Sequence, residues 1–195
     1  MKYGELTWGQ MEAIVNKLGG MEGVRRLLSG DLVVKEKERQ FKIWKTITLG
    51  LHTSTEYYKI LNKDYKGLPG RYLNWILRKI LISQEVMEVD LVIITGQEMG
   101  FEESVSRTAI CDRAIELGLQ KCPDEVGPAL RNQYLDQPYG EWLVIGMDPI
   151  TYHNGGLYLL SVGSNISGLW FILEHGHPNC IWNPDTKWVF ILPRK

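Results

Sequence analysis

Apolar positions along the chain change period several times, and each change predicts an element. Thr7, Trp8, Gly9 and Gln10 match a capping box, in which the Thr hydroxyl and the Gln side chain satisfy backbone donors of a first helical turn. Met11, Ile14, Val15 and Leu18 then recur at helical spacing up to Gly19 and Gly20, and Val24, Leu27 and Leu28 predict a second short helix closed at Gly30. The first thirty residues therefore read as a helical hairpin, and Lys35 to Arg39 form a charged stretch after it. The segment 32–40 is expected as an edge strand or an extended connector.

Phe41, Ile43, Ile47 and Leu49 alternate with Lys42, Trp44, Thr46 and Thr48, the period of two of a strand with one buried face. Thr53 to Glu56 offers a second capping pattern for a helix through Leu61, and Leu68-Pro69-Gly70 breaks the path before a helical stretch over 72–80. The run 86–95 is apolar on both faces in its second half and predicts an interior strand. A helix is expected from Ser104 or Ser106, carrying Ile110, Ala114, Ile115 and Leu117 to Gly118, and another from Cys122-Pro123-Asp124-Glu125 towards Tyr134. The last fifty residues hold four short aromatic and branched runs, 141–147, 157–162, 169–173 and 188–192, with His153-Asn154-Gly155-Gly156 as a hairpin signal.

Strands not separated by regular crossover helices predict an α+β fold, with an antiparallel sheet, a C-terminal strand meander and the helices packed on one face. Absence of repeats and of Ser/Gly linkers makes 1–195 a single domain, with 1–30 set apart as the one candidate appendage.

Composition narrows the function classes. With 44% hydrophobic and 23% charged residues the chain is an ordinary globular sequence, and a net charge of −1 supplies no overall attraction to nucleic acid. The start lacks the apolar core of a secretory signal and no stretch has spanning length, so a cytoplasmic protein with no membrane partner is expected. Cys111, Cys122 and Cys180 are too widely spaced for a disulfide framework and read as reduced thiols.

Candidate chemistry lies in three places. Glu174, His175, His177 and Cys180 are ligand types for zinc, but nothing elsewhere completes a shell, so neither metal nor cofactor is expected. From 56 to 80, Lys59, Lys63, Lys66, Arg71, Arg78 and Lys79 stand against Glu56 and Asp64 with Tyr57, Tyr58, Tyr65, Tyr72 and Trp75 interleaved, and Lys59, Lys63 and Arg71 are the candidate nucleic-acid contacts. Weak or no binding of single strands at physiological salt is expected from the overall charge. From 122 to 137, Pro123, Gly127 and Pro128 interrupt a polar helix, and Arg131, Gln133 and Gln137 are the candidate ligand or partner surface. Trp182, in a turn, is the tryptophan expected to show a face to solvent, while Trp142, Trp170 and Trp188 lie in apolar runs.

Phosphate-binding loops, nucleophile elbows and His-Glu-x-x-His are all absent. The leading reading is a binding or regulatory protein without catalytic activity, its partner an unidentified small ligand or protein. Two alternatives stand: single-stranded nucleic-acid binding through 56–80, and an enzyme with a site near 122–137. The residues Thr7 to Gln10, Cys122 to Arg131, Tyr134, Gln137-Pro138, Glu141-Trp142 and Trp188 to Phe190 resemble a group of uncharacterised bacterial proteins of similar length. That resemblance implies a bacterial cytosolic setting and transfers no functional residue.

Overall fold

The computed structural model describes residues 7–33, 41–153 and 155–194. The chain divides into two compact units, Met1–Gln40 and Phe41–Lys195.

The first unit is a pair of helices, α1 (Trp8–Lys17) and α2 (Gly20–Ser29). The capping box forms as its residues predict: Thr7 Oγ1 accepts from Gln10 N and Gln10 Oε1 accepts from Thr7 N. Gly19 and Gly30 both take left-handed backbone, which glycine adopts without a Cβ penalty. Most of the connector expected over 32–40 lies outside the described residues.

The second unit is α+β. Its elements in order are β1 (Lys45–Leu49), α3 (Ser54–Asp64), β2 (Lys66–Gly67), α4 (Gly70–Lys79), β3 (Met87–Thr95), β4 (Val105–Ser106), α5 (Arg107–Glu116), α6 (Val126–Gln133), β5 (Trp142–Ile145), β6 (Ile150–Thr151), β7 (Leu157–Asn165), β8 (Gly168–His175), β9 (Ile181–Trp182) and β10 (Lys187–Leu192). The main sheet runs β1-β3-β10-β5-β7-β8-β2, with β6 added on β7, and β4 pairs with β9 in a separate ribbon. The sheet is mixed and not purely antiparallel, because β10 runs parallel to β5 and β2 parallel to β8. The last strand thus inserts between β3 and β5 and closes no meander.

Alternation along the strands divides the core between the two faces. In β1, Ile47 and Leu49 are buried and face the helical side with Val89 of β3, while Thr46 lies across from Asp90 on the other side. On the helical side Gly127 of α6 meets Leu160 of β7 so closely that a Cβ there would lie 2.5 Å from the Leu160 Cδ1. Helix α4 contributes the fully buried Leu73, Ile76 and Leu77 at the i, i+3, i+4 spacing of an apolar stripe. Truncating Ile76 to Ala removes buried methylenes and leaves a cavity, a cost of about 2–5 kcal/mol. The opposite side carries Trp188 and Phe190, and the β4–β9 ribbon comes to this side through Trp182, whose ring meets Trp188 edge to face at 4.9 Å. The ribbon leads straight into α5, capped by Ser106 Oγ accepting from Ala109 N, so the helices do not all share one face.

Candidate functional site: a tryptophan-lined hollow beside a buried polar helix

Strand register places Trp142, Trp170 and Trp188 on the sheet side opposite α6, and the β4–β9 ribbon brings Trp182 to them. Gly163 of β7 lies directly across from Trp142 of β5 on one flank and from Trp170 of β8 on the other. A Cβ on Gly163 would sit 2.2 Å from the Trp142 ring, so the glycine is what lets that indole lie down on the sheet. Trp142 and Trp170 are 6.4 Å apart between ring centroids, and Trp170 Nε1 donates to Asn165 Oδ1. Trp188, in register with Val144, continues the row to Trp182.

Above this floor opens a hollow of about 410 Å³, lined by Trp142, Val144, Ser161, Glu174, Trp182 and the turn from Asn183 to Lys187, with Gly140 and Glu141 at its rim. The turn is held from two directions. Asn183 Oδ1 accepts from Asp185 N, and Gln97 N donates to Pro184 O, with Gly96 too close to Pro184 to admit a side chain. Lys187 pairs with Glu141 at 3.1 Å, and Tyr134 donates its hydroxyl to the other oxygen of that carboxylate.

One acid of this lining is held by no protein donor. The Glu174 carboxylate, half-buried on β8, makes no hydrogen bond or ion pair among the described residues, and burial raises its pKa above the ordinary carboxylate range. The indole N–H of Trp182 is shut from solvent and has no acceptor there. A half-buried acid without a protein donor, in a hollow walled by indole rings, marks a place for a ligand.

The residues singled out as a surface near 122–137 do the opposite. Arg131 has 0% exposure and Gln137 6%, so neither is at a surface, which corrects that expectation. The Arg131 guanidinium donates to Gln137 Oε1, to the carbonyls of Gly163 and Trp170 and, from its other terminal nitrogen, to the Tyr134 carbonyl. It also lies over the Tyr65 ring at 5.3 Å. Burial lowers its pKa to about 10, which leaves it charged at neutral pH. Gln133, half-buried, takes Thr48 N on its oxygen and gives its amide to Thr48 O, acting as one rung of ladder on the edge strand β1. Arg131 therefore holds from below the two strands whose upper side carries the tryptophans.

Sequence reading missed Glu125, which looked like a first-turn acid. It is fully buried and accepts from Gly50 N, Ser83 N and the Tyr57 hydroxyl, tying three segments to the start of α6. No local signal separates such an acid from an exposed cap. Cys122, at the start of this region, is buried, donates to Val189 O, and burial drives its thiol far above the ordinary range.

The remaining candidates lie elsewhere. Lys59, Lys63 and Arg71 are exposed on the α3–α4 pair. His175 and His177 are exposed, Cys180 is half-buried, and no group of three His, Cys, Asp or Glu side chains placed to hold a metal occurs among the described residues. Among those residues, too, no helix is long and apolar enough to cross a membrane. No family model, no curated protein and no solved structure matches the chain.

Proposed function

We propose that the protein is a non-catalytic binding protein whose ligand is a small polyhydroxylated molecule of carbohydrate type, seated in the hollow over Trp142. The observation that carries this reading is the coincidence of an indole wall with a half-buried carboxylate that no protein donor holds. Sugar C–H faces pack on aromatic rings, and sugar hydroxyls donate, which suits Glu174 as acceptor. The anchored turn from Asn183 to Lys187 supplies a preformed polar wall, which keeps the ordering cost of binding low.

The test is titration with neutral trisaccharides of glucose and of N-acetylglucosamine, followed by tryptophan fluorescence and calorimetry. Saturable binding is expected, weakened roughly ten-fold or more by Trp142→Ala and by Glu174→Ala, the scale of one lost ring contact or charged hydrogen bond. Failure of every saccharide to bind, or binding indifferent to both substitutions, would overturn the reading.

A desolvated carboxyl in a cleft is also what a general acid requires, so hydrolysis of the bound saccharide is a second reading. Its signature is release of reducing ends by the wild type that Glu174→Gln abolishes while binding persists.

A further inference from the structure

The net charge of −1 hides an uneven distribution. Lys59, Lys63, Lys66, Arg71, Arg78 and Lys79 are all exposed on α3, β2 and α4, and none of them makes an ion pair among the described residues. Several cations elsewhere do find acids: Lys121 meets Asp148, Lys187 meets Glu141, and Arg194 meets Glu88 and Asp90. Set against Glu56 and Asp64 on α3, these six cations leave the α3–α4 pair with a surplus of positive charge, the footprint of a surface that meets polyanions.

Beside it lies a hollow of about 320 Å³ walled by Tyr72, Tyr152, Tyr158, Pro69, Leu68 and Leu173, with no carboxylate in its lining. Tyr152, brought over by the β6–β7 hairpin, meets Trp75 edge to face at 4.3 Å and Tyr72 at 6.0 Å, and Tyr158 stacks on His175 at 6.4 Å. The rings are thus held in place by one another. The Arg71 guanidinium lies 4.8 Å over the Tyr72 ring at the edge of the hollow. Arg78, two helical turns or about 10 Å further along α4, borders a second groove between α3 and α4 with Tyr58 and Asn74.

We infer that this face binds single-stranded nucleic acid, one base entering the tyrosine hollow while phosphates follow Arg71 and the lysines of α3. Ring faces take any base by stacking and unpaired cations release counterions from the backbone, the two terms that single-strand binders combine. A duplex keeps its bases stacked inside and has none to offer the hollow. DNA and RNA single strands share this chemistry, and Tyr152 and Tyr158 join it only through the hairpin.

The experiment is fluorescence anisotropy of labelled oligo-dT and oligo-rU, with a duplex of equal length as competitor, over a series of salt concentrations. Binding of a single strand is expected at low salt, with log K falling against log salt at a slope of about −2 for three phosphates neutralised. Lys59→Glu with Lys63→Glu and Arg71→Glu, all at exposed positions, should abolish it. Tyr152→Leu, which keeps apolar volume against Trp75, should weaken it roughly ten-fold. Tighter binding of oligo-rU assigns the face to RNA, and the reverse to DNA. Absence of binding at low salt, retention by the charge-reversed variant, indifference to Tyr152→Leu, or equal competition by duplex would overturn the inference. Circular dichroism of each variant separates loss of the site from loss of the fold, and Lys121→Gln, at a residue that lines neither hollow, should leave oligonucleotide binding unchanged.

Discussion

Helix α6 and the tryptophan hollow lie on opposite sides of the same strands, and both concentrate polar side chains against β7 and β8. Beneath the sheet, Arg131, Glu125, Gln133 and Gln137 bond backbone groups of other segments and one another, while Arg131 Nε stays without a partner among the described residues. Above it, Glu174 and the Trp182 N–H have no such partner. The contrast separates two uses of polarity. Burial with most polar atoms satisfied locks segments together, whereas partial burial with an acid left open prepares a place for something else.

The largest expected effects lie beneath the sheet. Glu125→Ala strands two backbone donors and the Tyr57 hydroxyl, and Arg131→Ala strands the carbonyls of Gly163, Trp170 and Tyr134. Each should cost about 3 kcal/mol or more in urea unfolding, at the rate for unsatisfied buried groups. A loss below about 1 kcal/mol would mean that water replaces the lost partner and that the network is not the lock inferred here.

Intermediate effects come from the glycine between the tryptophans. Gly163→Ala puts a Cβ into the Trp142 ring, which must lift from the sheet, an overpacking cost of about 1–3 kcal/mol together with weaker saccharide binding. Gly127→Ala drives a Cβ into Leu160 on the other side and should cost similar stability. If saccharide affinity responds to Gly163→Ala and not to Gly127→Ala, measured on folded protein, the two sides are functionally distinct. Equal loss from both would collapse the comparison.

The smallest effect concerns pH. Folding raises the Glu174 pKa above its ordinary value of 4.5 by burial, so at intermediate pH the folded state holds this proton more tightly than the unfolded chain. Its contribution to stability is fully present below 4.5 and is lost as pH rises through the folded value. Glu174→Gln should therefore flatten the acid side of the stability profile and leave the protein slightly more stable at neutral pH, by less than about 1 kcal/mol. Denaturant midpoints at a series of pH values check this; a variant less stable than wild type at neutral pH would reverse the sign and require a hidden partner for the carboxylate.

What the sequence made legible was local. Thr7 with Gln10 and Thr53 with Glu56 form their capping boxes because each box closes within a single turn. Gly30 and Gly118 stop helices through their own positive φ, and the alternation of Ile47 and Leu49 with Thr46 and Thr48 describes the buried face of β1. Departures began where a distant segment competes. Strand β1 starts at Lys45 and not at Phe41, because its ladder extends only as far as Met87 to Leu91 of β3 provide partners. Helix α6 begins after Glu125, since Cys122 is already taken by a bridge to Met147.

Functional reading divided along the same line. The basic and aromatic content of 56–80 could be counted from the chain, and Trp182 was singled out as the tryptophan beside a turn. Glu174 was noticed only among metal-ligand types, and Tyr152, Tyr158, Gly163 and Glu125 carried no signal at all. By itself the sequence determined which segments would be helix or strand and which strand faces would be apolar, because propensity, capping and periodicity act within a few residues. The tertiary structure alone decided that β10 would enter between β3 and β5, that Gly163 would lie between two tryptophans, and that Arg131 would be buried. Register and burial depend on strand pairs and helix contacts far apart in the chain, and a polar side chain acquires its role only when those partners arrive.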